Sequence, residues 1–188
     1  MSLKPLAKSE IVIRLLADNE HALVARLAVE GDGSDEFCTA RALSEEMAGI
    51  SEREVPPGRM IFGLFAGGHL AAVGCARLEG DAHGYISRVH AGRFLRRRGA
   101  ARLLVEHMES YLREHGCRIA NLYCWSHSVG TQRFWMKMGY TRVATRAHSN
   151  RAAPGSAACS TSALSGDSGQ EAEAAHNPAV VIRCRKEL

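Results

Sequence analysis

Six arginines fall between residues 88 and 102: Arg88, Arg93, Arg96, Arg97, Arg98 and Arg102, with no acid among them. The tightest part reads Arg96-Arg97-Arg98-Gly99-Ala100-Ala101 and stands directly before a long stretch with helical apolar spacing. A turn that leads into a helix points several free backbone N–H groups at one spot, and the helix dipole adds partial positive charge there. That combination binds pyrophosphate. Gly99 lets backbone approach an anion closely, and Ala101 keeps the next position small. The arginines add charged, forked donors. An arginine cluster also suits a solvated face, a nuclear-targeting patch or a nucleic-acid contact. Its place between a strand and the best helix of the chain favours the phosphate cradle. The run matches neither G-x-x-x-x-G-K-S/T nor G-x-G-x-x-G.

The formal charge of the 188-residue chain is +4, from 24 Lys+Arg and 20 Asp+Glu. Without the six arginines, 18 basic and 20 acidic residues remain, so the whole excess sits in one short segment. The length suits one domain with a real core, and 46% apolar residues is an ordinary globular share. No run of about 18 apolar residues exists to cross a membrane, and the N-terminus lacks the apolar stretch of a secretory signal. The six cysteines are scattered, form no C-x-x-C and pair with no His at zinc spacing. We therefore expect reduced thiols, a cytoplasmic setting, no metal, and a monomer or homodimer.

The elements that must position the cradle are legible in outline. Residues 9–16 read as a strand, Asp18 as an N-cap for a helix over about 19–29, and 39–48 as a second helix stopping near Gly49. MIFGLFA, Gly67-Gly68 and HLAAVGCARL form a hairpin. Residues 85–91 read as a strand. Residues 99–115 read as a helix, with Leu103, Leu104, Met108, Tyr111 and Leu112 on one side and Gly116 at its end. A strand at 118–124, a short helix at 128–138 and a strand at 140–146 follow. Residues 147–178 hold nine Ala, six Ser and three Gly, with Leu164 the one large aliphatic. Such a segment buries too little to offset its ordering entropy. The expectation is a single domain over 1–188 with 147–178 as a flexible insertion, before a last strand at 179–186 that pairs with 140–146.

Arg96, Gly99 and Ala101 match the Q/R-x-x-G-x-G/A motif of the GCN5-related N-acetyltransferases, the GNAT family. SVGTQRFWMKMGY (128–140) resembles that family's second signature, N-x-x-A-x-x-F-Y-x-K-x-G-F, in the right order and about thirty residues on. Ser128 replaces the usual Asn, Thr131 the usual Ala, and Trp135 stands where many members carry Tyr. The resemblance implies an α/β (α+β) fold with a mostly antiparallel central sheet, flanked by helices and splayed between 85–91 and 119–124. It implies an acetyl-CoA-dependent N-acetyltransferase. Val89, His90 and Ala91 would pair their backbone with the pantetheine arm, and the Val89 N–H would polarise the thioester carbonyl. Arg96, Arg97, Arg98, Gly99, Ala100 and Ala101 would hold the pyrophosphate, with Ser128 and Trp135 also on the cofactor.

Proton removal from the acceptor amine has three candidates. Tyr85 stands where some members carry a Glu base, and Tyr85 or Ser87 would orient a water that takes the proton. Strand alternation places Tyr85, Ser87 and Val89 on one face and Ile86, Arg88 and His90 on the other. His127 follows the next strand and has a suitable intrinsic pKa. The acceptor is an amine. Eight acids against two arginines over 30–54 would draw a cationic one, and a solvated helix surface accounts for the same charges. Two alternatives stand beside this reading: an acyl-CoA-binding module with weak or lost catalysis, and a nucleic-acid-binding protein using the arginines. The small aromatic share, 6%, opposes a single-strand binder and makes nucleic acid a poor partner.

Overall fold

Gly67 and Gly68 both take positive φ, +57° and +81°. That is the left-handed pair a two-residue hairpin turn needs. The turn joins two neighbouring strands of the computed structural model, which describes residues 11–29, 35–49, 58–147 and 180–188. Its elements run β1 (Ile11–Leu15), α1 (His21–Val29), α2 (Asp35–Met47), β2 (Arg59–Ala66), β3 (His69–Glu79), β4 (His83–Ala91), α3 (Ala100–Glu114), β5 (Ile119–Trp125), α4 (Val129–Lys137), β6 (Thr141–Ala147) and β7 (Val180–Glu187). The seven strands form one mixed sheet in the order β1-β2-β3-β4-β5-β7-β6. The expected pairing of the last strand with β6 is present, Arg142 opposite Cys184 and Thr145 opposite Ile182. The proposed insertion lies outside the described residues from His148 onward.

Helix α3 covers one face of the sheet. Its spacing buries Leu104, Val105, Met108 and Leu112, which join Ile86, Leu122, Trp135 and Ile182 in the larger apolar cluster. Full burial of each such side chain stabilises by about 1.5–3 kcal/mol. The helix lies close because the strands under it carry glycine. A Cβ at Gly74 would come within 2.9 Å of Met108, and one at Gly84 within 2.6 Å of Leu112. Glu109 of α3, 2% exposed, takes a 2.7 Å hydrogen bond from Lys186 of β7, which ties the helix to the far half of the sheet. Helices α1 and α2 cover the other face over β1–β3, where Leu16, Val24, Leu27, Leu43 and Met47 pack on Ile61, Val73 and Cys75.

All neighbouring strands are antiparallel except β4 and β5, which run parallel. That pair is registered only over His83–Tyr85 and Ile119–Asn121. Beyond this point β4 stays with β3 as far as Ala91, while β5 turns to β7 along its whole length. The expected splay is therefore present, and it leaves the last part of β4 with a free edge.

Two expectations need correcting. Asp18 does not cap α1. It lies inside a 3-10 turn (Asp18–Glu20), and it is the Glu20 carboxylate that accepts the Ala17 N–H at 3.0 Å. Alternation along β4 also breaks. Cys75 faces Ser87 and Val73 faces His90, so Arg88 and Val89 together oppose Gly74, and Arg88 takes φ of +56°. This is a β-bulge. It places Arg88 and His90 on the face of Tyr85 and Ser87, toward α1 and α2, and turns Val89 and Ala91 toward the α3 cluster.

Gly84→Val should drive its side chain into Leu112. Overpacking of this kind costs about 1–3 kcal/mol, and a thermal melt or urea titration should show a loss of that size.

Candidate active site

The gap between the parted strands opens into a cleft of about 560 Å³. One wall is β4 from Ile86 to Ala91. The floor of the opposite wall is the end of β5, Tyr123, Cys124 and Trp125, backed by α4 through Ser128, Thr131, Phe134 and Trp135. Its outer end is closed by Arg96, Arg97 and the first turn of α3, residues 100–102.

That outer end is built from backbone. Gly99, the N-cap of α3, takes φ of +90°, and Arg97 takes +61°. A Cβ at Gly99 would touch nothing within 4 Å, so the glycine answers to its conformation and not to crowding inside the chain. The first helical N–H that finds a carbonyl is that of Leu103, which donates to Gly99 at 3.0 Å. The N–H groups of the turn before it have no acceptor within the helix. No acid lies in the first turn to compete for them. An anion entering the cleft meets these donors together with the dipole end of the longest helix described.

The arginine cluster is smaller as a charge reservoir than its sequence suggests. Arg88 reaches Glu46 of α2, which also receives Arg59. Arg102 pairs with Glu106 at 2.7 Å. Arg96 turns inward, its Nε donating to the Ala91 carbonyl at 3.4 Å.

Within this frame a family model described as the acetyltransferase (GNAT) family matches residues 19–140. The chain belongs to the GNAT acetyltransferase family. The fold agrees with solved members. An acetyltransferase from Thermus thermophilus is 14% identical with a TM-score of 0.64, over 95% of this chain and 97% of that one. A ribosomal-protein alanine N-acetyltransferase from Escherichia coli is 12% identical with a TM-score of 0.63, over 94% and 93%. A Bacillus subtilis acetyltransferase in complex with CoA is 14% identical with a TM-score of 0.60, over 95% and 99%. No curated protein sequence matches. The GNAT family uses acetyl-CoA. The residues present suit that group: a free strand edge, a narrow cleft and unpaired N–H groups at its charged end.

Most of the sequence-nominated residues meet at this cleft. Ser87, Val89, His90, Ala91, Arg96, Arg97, Gly99, Ala100, Ala101, Ser128 and Trp135 all line it, whereas Tyr85, Arg98 and His127 do not. Tyr85 lies deeper along β4, with its ring 5.9 Å from that of Tyr123 and the Arg77 guanidinium 5.1 Å above it. Burial first, and the neighbouring Tyr123 second, push its phenol up to about 12. It therefore holds its proton at neutral pH. The His127 ring stacks on Trp125 at 5.9 Å, on the outer side of the strand end. Ser128 hydrogen-bonds Thr131 at 2.7 Å. Trp135 is 6% exposed and packs edge-on against Phe134 and Tyr140, so its indole is a wall. Cys124 is also a wall residue and not a nucleophile, since burial and the adjacent Cys184 raise its thiol to about 12.

Sequence reasoning missed Tyr123 and Trp125, and Gly130, Thr131, Phe134 and Met138 of α4 and its C-cap. Helical spacing would have found the last four, because Gly130, Phe134 and Met138 stand one turn apart, as Thr131 and Trp135 do. Alternation along β5 would have found Tyr123 and Trp125. Nothing in the sequence announces the bulge at Arg88. Of the acids expected to rim the acceptor side, Glu45 is paired with Arg41 and Glu46 with two arginines. Glu30, Asp32, Glu52 and Glu54 lie outside the described residues.

Tyr85→Phe should leave kcat within about threefold of the parent, because a phenol that holds its proton contributes no base catalysis. The pH–rate profile should keep its shape in that variant. A loss of one titrating limb would show that Tyr85 takes the proton after all.

Proposed function

We propose that this chain transfers an acetyl group from acetyl-CoA to a primary amine by direct attack of the amine on the thioester. The observation that carries the reading is the continuity of one cleft. It runs from the unpaired N–H groups at the start of α3 to the free edge of β4 at the bulge. The donor has an anionic end and an amide-bearing arm, and this cleft offers matching partners to both.

Bound acetyl-CoA supplies an activated acyl group: an N–C bond forms and the C–S bond breaks, while the ammonium loses two protons, one taken up by the leaving thiolate and one released to water. The residues then divide the work. The turn at 97–101 and Arg96 hold the pyrophosphate. Backbone of Val89, His90 and Ala91 pairs with the arm. The Val89 N–H donates to the carbonyl oxygen where negative charge develops. Ser87, which lines the cleft on the side facing α1 and α2, orients the water that carries the proton away. Trp135, Phe134 and Met138 exclude water from the thioester side. Much of the rate on this reading comes from holding two reactants together, which needs no special side chain. A cytoplasmic setting goes with it, supported by four described cysteines that are all free, buried thiols. No described helix is long and apolar enough to cross a membrane.

One observation favours a second reading. Among the described residues that line the cleft there is no carboxylate, so an acyl-CoA-binding module with little catalysis fits the same cradle. CoA release measured against an amine panel separates the two, since tight binding of acetyl-CoA with no turnover would establish the module.

Gly99→Glu should weaken acetyl-CoA binding by about 100-fold or more. It places a carboxylate at the helix N-terminus and loses the residue type suited to φ of +90°. The open space around Gly99 leaves the core untouched, so the melting curve should shift only slightly. Calorimetric titration with acetyl-CoA is the check, and affinity near the parent value would remove the cradle from the reading.

A further inference from the structure

Strand β7 presents a second cationic feature that acetyl-CoA binding does not use. On the sheet face that carries Tyr85 and Ser87, Tyr123 stands opposite Arg183 and Asn121 opposite Arg185. Helices α1 and α2 cover this face over β1–β3, and α2 reaches β4 through the Glu46–Arg88 pair, so over β5 and β7 it has no helical cover among the described elements. The other charged groups on it are accounted for. Arg77 pairs with Glu79, Arg88 with Glu46, and Glu187 lies at the far end, opposite Ile119.

Arg183 has no carboxylate within ion-pair distance among the described residues. Its Nη2 donates to Asn121 Oδ1 at 3.0 Å, while its buried Nε meets no acceptor. Asn121 is itself 2% exposed, and its Nδ2 is also a buried donor without an acceptor. Both orphan donors are closed to solvent, so a ligand meets this pair through the remaining amino group of the Arg183 fork, whose orientation Asn121 fixes. Beside this pair stand Tyr123 and Trp125, which are 50% and 38% exposed and line the cleft. Arg183 is therefore one strand spacing, about 5 Å, from β5, whose other edge borders the gap.

We propose that the acceptor is an amine that also carries a carboxylate, an α-amino acid in its simplest form. The carboxylate docks on the Arg183 fork with Arg185 beside it, and its side chain lies along Tyr123 and Trp125. A planar fork held by Asn121 matches a carboxylate in geometry as well as charge. The paired state of Glu45 and Glu46 agrees with this, because neither is left to select a purely cationic substrate. The proposal rests on the acetyl-transfer reading for its reaction but not for its binding site.

The test uses matched acceptors: phenylalanine, its carboxamide and phenethylamine, which share the ring and the amine, with phosphoethanolamine as a different anion. Turnover is followed by CoA release, and binding to the CoA-loaded protein by calorimetry. Phenylalanine should be preferred over both analogues that lack the carboxylate by about 10- to 100-fold in kcat/KM and in affinity, the loss expected for a charge-assisted bond. The carboxamide has the less basic amine, so intrinsic reactivity works against this order. Arg183→Gln should raise KM for phenylalanine by about tenfold with kcat and acetyl-CoA affinity nearly unchanged, and Arg183→Lys should recover part of it. Equal use of acid and carboxamide by the parent protein would overturn the proposal whether or not the variants fold. So would a preference for phosphoethanolamine, or no binding of any carboxylate. Selective binding of phenylalanine without CoA release would support the site and overturn the transfer reading instead.

Discussion

Between Ser87 and His90 strand β4 carries two residues where β3 carries only Gly74, and the rest of the site depends on that mismatch. The extra residue bends β4 away from β5, so the parallel pairing ends after three registers. It reverses which side chains point inward, so Val89 and Ala91 turn toward α3 and His90 toward the opposite face. It also leaves backbone N–H and C=O groups on a strand edge inside the molecule. Such an edge would ordinarily be a liability. Here it borders a cleft whose other wall is already formed, so the edge becomes a template for an extended partner. A positive φ at a non-glycine residue is strained, and Arg88 bears it while its side chain is held by Glu46 on α2. Helix α2 and strands β2 and β4 are thus joined through one carboxylate.

The second constraint is the distance of α3 from the sheet. Glycines at 74 and 84 let Met108 and Leu112 sit almost on the strand backbone. A helix held that low starts its first turn level with the cleft mouth, and its free N–H groups face the gap instead of the solvent above it. The amphipathic spacing of α3 and the anion site at its N-terminus are therefore one arrangement seen at two ends. Lysine 186 and Glu109 fix the same helix to β7 at a depth where neither charge can be left alone.

Much of this was legible in the sequence. The hairpin, the long helix, the cradle turn and the two motifs were local features with strong punctuation: paired glycines, a glycine after the last helical turn, apolar residues at helical spacing. Boundaries moved by only a residue or two in β4 through β7. The illegible parts were those decided between elements. No pattern within 85–91 shows a bulge, because the mismatch exists only against β3. The arginine cluster read as more charge than is free, because the pairing of Arg88 with Glu46 is between elements far apart in the chain. The depth of Tyr85 beside Tyr123 is set by the neighbouring strand and has no local signal either. The Asn121–Arg183 pair joins residues 62 apart in the chain, and nothing near either one hints at the other.

The strand order has a consequence for how the molecule is assembled. The half containing β1 to β4 is built from neighbours in sequence, and its contacts close short loops. The other half is not. Strand β7 lies between β5 and β6 although it follows both in the chain, so β5 has no second partner until a segment some fifty residues downstream returns to it. Loop closure of that length costs entropy before any pairing rewards it. The first half, with α3 laid on it, is thus positioned to fold early and locally, and the arrival of β7 is the late step. Because β7 forms the support behind Tyr123 and Trp125, one wall of the cleft exists from the outset and the other is completed last.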